Sequence, residues 1–153
     1  MLVKYTTNSL KYICFILAFL TLSFPANSEL SVEEIIKGRK ALFSKNYSTA
    51  KKVQNLASKG DFEKAKSLML EMSENYKILI NYFPENTKEG FKTEALPIIW
   101  EEKENFNNLM TKASTDMAQL TKIIESSDDI RGTLGKFMWS NCKACHSKYR
   151  EEH

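Results

Sequence analysis

The sequence predicts an all-α fold, an antiparallel up-down four-helix bundle, and three observations carry that expectation. Apolar residues recur at three- and four-residue steps in four successive stretches, the period of one helix face. Five glycines and three prolines are few for 153 residues, and no internal repeat or low-complexity stretch breaks the pattern. The connections between stretches run short, long, short, as four antiparallel helices require.

The first helix is read from Val32, Ile35, Ile36, Leu42, Phe43, Ala50, Val53 and Ala57, and Ser31 followed by Glu34 is a capping box at its start. Gly60-Asp61 breaks the chain. Asp61 stands where it can cap a second helix carrying Phe62, Ala65, Leu68, Met69, Met72, Tyr76 and Leu79. A longer connection over 81–96 contains Pro84, Asn86 and Gly90. Pro97 suits the first turn of a third helix, where a missing N–H costs nothing, and that helix is read through Phe106, Met110, Ala113, Met117 and Leu120 to Ile124. Ser126, Ser127 and Asp128 offer caps for a fourth, from Ile130 through Leu134, Phe137, Cys142 and Cys145 to Tyr149. Gly132 and Gly135 weaken its first turns and leave room for a close neighbour.

Residues 1–28 read as a secretory signal peptide rather than part of this fold. Lys4 and Lys11 flank a polar start, an apolar run follows from Tyr12 to Phe24, and Ala26 and Ser28 form a small-residue exit. The run is too short for a comfortable membrane span, an uncleaved anchor being the alternative. Cys14 has no small-residue site just before it, which argues against a lipoprotein. Cleavage near Ser28–Glu29 leaves one domain, residues 29–153, exported to the periplasm. Lys4 and Lys11 leave with the signal, so 22 basic residues become 20 against 19 acidic, and the net charge falls from +3 to +1. That balance removes any argument for a nucleic-acid binder, which needs a basic stripe.

Of three cysteines, only Cys142 and Cys145 remain after Cys14 is removed. In an oxidising compartment they are bonded to each other or used for something else. Both lie in "CKACHSKYR", residues 142–150. On a helix, Cys142, Cys145 and His146 share one face. Two thiols can then add across the two vinyl groups on one haem edge while the imidazole reaches the iron. Cys-x-x-Cys-His is the signal for such attachment of one haem c, with His146 as the axial ligand. A structural zinc site wants four ligands, and the other histidine, His153, lies seven residues further on at the chain end. A thioredoxin-type dithiol sits at a helix N-terminus, whereas this pair lies late in a helix. Covalent haem is the reading that the motif supports best.

A signal peptide, a four-helix pattern and this motif at the C-terminal end together resemble the cytochrome c prime family, the class II c-type cytochromes. The resemblance spans essentially the whole mature chain. "CKACHSKYR" is similar to the family's terminal signature, including Tyr149 and Arg150; Arg39 with Phe43 matches the first-helix arginine and the bulky apolar residue over the haem. Phe83-Pro84 matches the entry to the inter-helix crossing, and "TEALPIIW" matches the start of the third helix. The resemblance implies that Cys142 and Cys145 form thioethers and that His146 is the sole protein ligand to iron. It places Arg39 near the propionates, Glu94 at the haem edge and Arg150 by the proximal face. Lys40 departs from the amide or acid often found at its position. A homodimer through the Tyr47 and Phe62 region is also implied by resemblance.

Coordination decides between functions. Low-spin relatives supply a methionine from the first helix, but none occurs between Glu29 and Leu68. Met69, Met72, Met110, Met117 and Met138 read as flexible core filler. With Phe43 towards the iron, five-coordinate iron and an apolar open side are expected. Such a side offers no hydrogen-bond donor, so it suits NO and CO better than dioxygen or water. Family analogy allows NO to end on the proximal face beside Arg150. The first reading is therefore a haem protein that binds NO and CO and can pass one electron. The alternative is a low-spin carrier serving only electron transfer between periplasmic partners. An enzyme is not expected, because no second histidine or acid–base group accompanies the site.

Overall fold

The computed structural model describes residues 29–152; segment 1–28, read above as a signal peptide and containing Cys14, and His153 lie outside the described residues. Helix α1 (Val32–Ser58) starts at the expected capping box: the Ser31 side chain accepts from the Glu34 N–H, and the Glu34 carboxylate accepts from the Ser31 N–H. It ends in a Schellman turn, with Gly60 N–H donating to Ala57 O and Asp61 N–H to Leu56 O. Gly60 takes φ +77°, a left-handed value that glycine adopts without strain. Asp61 does not cap α2 (Phe62–Leu79) as expected; its carboxylate accepts from Lys64 Nζ at 2.8 Å instead.

The third predicted helix is interrupted. Pro97 stands just before a short α3 (Ile98–Glu101), and α4 (Lys103–Ile123) follows after Glu102, whose backbone leaves the helical region at φ −114°, ψ 44°. The break is a kink rather than an end, since Glu102 N–H still donates to Ile98 O and Phe106 N–H to Glu102 O. The fourth predicted helix is one helical rod in three parts: α5 (Ile130–Leu134), a π-helical turn over Gly135–Trp139, and α6 (Ser140–Tyr149). Its cap is Asp129, accepting from Gly132 N–H at 2.9 Å, not Ser126, Ser127 or Asp128. That carboxylate fills the space where a Cβ on Gly132 would sit; Gly135 has no close neighbour at all.

The bundle is all-α, with α2 packed against both α1 and α4, and α6 against α4. Met69, Met72, Met110, Met117 and Met138 are all buried in one core with Ala50, Val53, Leu79, Phe106 and Leu120, as core filler should be. No described helix is long and apolar enough to cross a membrane. The long connection packs as two 3-10 turns, Ile80–Tyr82 and Glu85–Thr87, followed by Gly90, Phe91 and Lys92 at positive φ. The segment after Lys92 then runs antiparallel to the chain end: Leu96 N–H donates to Tyr149 O and Glu151 N–H to Glu94 O. This lays the crossing beside the end of α6.

Candidate functional site

The eight residues selected from the sequence, Arg39, Phe43, Phe83, Glu94, Cys142, Cys145, His146 and Arg150, all line one cavity of about 720 Å³. Its volume falls within the range of cofactor pockets. The first residues on its wall come from α1: Arg39, Phe43, Asn46 and Tyr47 lie at three- and four-residue steps and share a face. Tyr76 comes from α2, Phe106, Met110 and Ala113 from α4, and the cysteines and histidine from α6. The extra residue of the π turn rotates the rod beyond it by about 100°. Beyond it, Cys145 and Tyr149 continue the buried stripe of Leu134 and Met138, while Cys142 and His146 flank that stripe on the cavity side.

Cys145 is buried, Cys142 is half-buried and the two sulfurs are not joined to each other. Burial pushes the Cys145 thiol up to about 12 and the Cys142 thiol up as well. A redox dithiol would be held down, so these are not activated thiols. His146 lines the cavity with its ring partly shielded and partly open to solvent. Burial first, and the Arg150 guanidinium second, hold its imidazole below the ordinary value, with Glu94 opposing. That favours the neutral ring, the form that ligates a metal.

Arg39 is placed differently from a solvated or simply propionate-facing side chain. It is 3% exposed. Its four terminal N–H groups are all used on the crossing: Nη1 donates to Tyr82 O and Thr87 Oγ1, and Nη2 to Thr87 O and Thr93 Oγ1. The guanidinium carbon also stands 4.7 Å from the Phe83 ring centre, and burial lowers its pKa to about 10. Trp100 Nε1 and Lys103 Nζ donate to the same stretch, at Phe83 O. Arg39 thus holds the crossing over the cavity. Phe83 is buried and packs edge-on to Phe43 and Phe106. Lys40 Nζ donates to Lys92 O at 2.8 Å and lies 3.6 Å from the Glu94 carboxylate at the mouth.

The wall is mostly apolar, yet the expectation that it offers no hydrogen-bond donor needs correction. Asn46 and Tyr76, neither selected from the sequence, are 3% and 6% exposed and line the cavity. Tyr76 lines the cavity with Cys142, and burial raises its pKa. Their only signal was polar character at buried-face spacing, three residues after Phe43 in one case. The cavity also carries two buried donors without partners, Asn46 Nδ2 and Arg150 Nε. Such groups are costly unless something accepts from them. A flat apolar group with acidic substituents, attached at paired thiols, fits this donor set and volume.

Comparison with known proteins decides the family: the model described as Cytochrome C' matches residues 34–150. The chain belongs to the cytochrome c prime family. A cytochrome c prime of Rhodopseudomonas palustris is 28% identical over 120 residues, covering 76% of this chain and 82% of that protein. The cytochrome c prime of Rubrivivax gelatinosus shares the fold at TM-score 0.66 and 23% identity, over 78% of this chain and 97% of its own. A variant of the Alcaligenes xylosoxidans cytochrome c prime, solved as a nitric oxide complex, does so at TM-score 0.68 and 19% identity, over 81% and 99%. The cofactor of the family is haem c bound through cysteines, and in this cytochrome c prime Cys142 and Cys145 are the residues that fit.

Proposed function

We propose that this is a periplasmic monohaem cytochrome with five-coordinate, high-spin iron, which binds NO and CO at its open position and transfers single electrons. One observation carries the reading. Cys142, Cys145 and His146 share a cavity whose α1 wall presents Phe43, with no methionine or histidine in that helix. Haem supplies an iron that changes by one electron and takes diatomic gases. Cys142 and Cys145 hold it by thioethers, and His146 ligates it from α6. Phe43 and Phe83 exclude water, while Arg150 Nε and the Lys40–Glu94 pair meet its polar edge. Arg39 positions the crossing against it. The nitric oxide complex of the Alcaligenes relative supports gas binding as the role.

Export by residues 1–28, and no enzymatic activity, complete the reading. A homodimer through the Tyr47 and Phe62 region rests on the family resemblance. A second reading, a purely electron-carrying low-spin cytochrome, is favoured by one feature: Met110 lines the cavity. Titrating the reduced, periplasmically expressed protein with CO separates the two. Saturable uptake supports the open position. Indifference to CO that is relieved by Met110→Leu supports the carrier.

A further inference from the structure

Asn46 is the most unusual group on the cavity wall. Its Oδ1 accepts from Asn75 Nδ2 at 2.8 Å, a buried link between α1 and α2. In that pairing Asn75 is the donor and Asn46 the acceptor, and reversing Asn46 alone would bring two N–H₂ groups face to face. Oδ1 is therefore held back against α2, and Nδ2 is the atom presented on the cavity side. There it is buried with no partner at hydrogen-bond geometry, on the same wall as Tyr76. Phe43, one turn earlier, lines the same cavity and offers no polar group. Two donors thus occupy a wall that is otherwise built to be dry, and in such surroundings a hydrogen bond is stronger than in water.

We propose that Asn46 donates a hydrogen bond to a small ligand held in this cavity, one whose outer atom carries negative charge. The ligand class is small anions of the cyanide and azide type, together with diatomics that take up electron density on binding. This inference rests on the open-position reading given above. Tyr76, buried on the neighbouring α2 wall of the same cavity, acts as a positioning residue that limits where the amide can swing. The cavity then discriminates among ligands. Neutral CO gains little from the donor, while an anion gains a charge-assisted bond that an all-apolar wall lacks.

The test compares the full-length haem-loaded protein with Asn46→Leu, using CO and cyanide as probes. A donor draws electron density onto the outer oxygen of CO and weakens the C–O bond. The account therefore expects the C–O stretching frequency to rise in Asn46→Leu. Cyanide affinity should fall about tenfold, with CO affinity within about twofold. If neither the stretch nor cyanide affinity moves, Asn46 is only the link to Asn75 and the inference is overturned, while the open position stands. If the unaltered protein takes up no CO, the open-position reading fails and this inference fails with it. Should Asn46→Leu not fold, the unaltered protein decides: transfer to D₂O shifts the stretch of bound cyanide if an amide donates to it, and no shift overturns the proposal.

Discussion

From Ala50 onward, the buried residues of α1 are Ala50, Val53 and Ala57; before it they are Ile36, Arg39, Asn46 and Thr49. One helix thus serves two interiors. The later part joins Ala65, Met69 and Met72 in the apolar core, where the nearby buried Ser73 hydroxyl is satisfied by Ser114. The earlier part faces a cavity and a crossing, and buries polar groups that ordinary helix faces leave in water. The fate of each buried polar group separates scaffold from site. Arg39 has every terminal donor paired within the protein, so it holds shape; Asn46 and Arg150 line the cavity with a donor unpaired, the groups that the proposed cofactor or ligand would meet.

Substitutions in the two regions should therefore fail in different ways. The largest effect is expected at the attachment residues: Cys142→Ala with Cys145→Ala should abolish covalent haem, read as loss of the haem band on a denaturing gel. A band of undiminished intensity contradicts the attachment. Met69→Ala, in the dry core, should cost about 3 kcal/mol in urea unfolding while leaving the absorption spectrum unchanged. Arg39→Met should cost a similar amount, roughly 3 kcal/mol, because Thr87, Thr93 and Tyr82 lose a shared partner. Its spectrum should also change, as the crossing loosens over the haem. Phe43→Met should do the reverse of Met69→Ala, changing stability by under about 1.5 kcal/mol but moving the iron towards six-coordination. An unchanged spectrum there would show that residue 43 does not face the iron. The smallest effect is Asp129→Ala, about 1 kcal/mol for a lost cap with no spectral change.

Most of the scaffold is legible in the sequence because one rule, apolar spacing, governs it. The limits of α1 follow from Ser31, Glu34 and Gly60, whose chemistry is local. The motif is equally local: three residues within five positions fix one helix face. What spacing does not reveal depends on partners distant in sequence. The break at Glu102 leaves both flanking stretches helical, and its side chain accepts from Lys148 and Tyr149 near the chain end. The π turn at Gly135–Trp139 adds one residue to a stripe that still reads as helical. The choice of Asp129 over three neighbouring cap residues is settled by where α5 begins. Arg39 and Asn46 look like surface residues until the crossing and Asn75 are brought to them. An apolar wall could be inferred from Phe43 alone, but its donors could not.

The spin state of the iron tests the central claim most directly. Resonance Raman spectra of the periplasmically expressed protein, ferric and ferrous, report it without any substitution. The account predicts a five-coordinate high-spin haem in both states, converted by added CO and NO. A six-coordinate low-spin haem that ignores CO would contradict it, and would make a side chain of the cavity the second ligand.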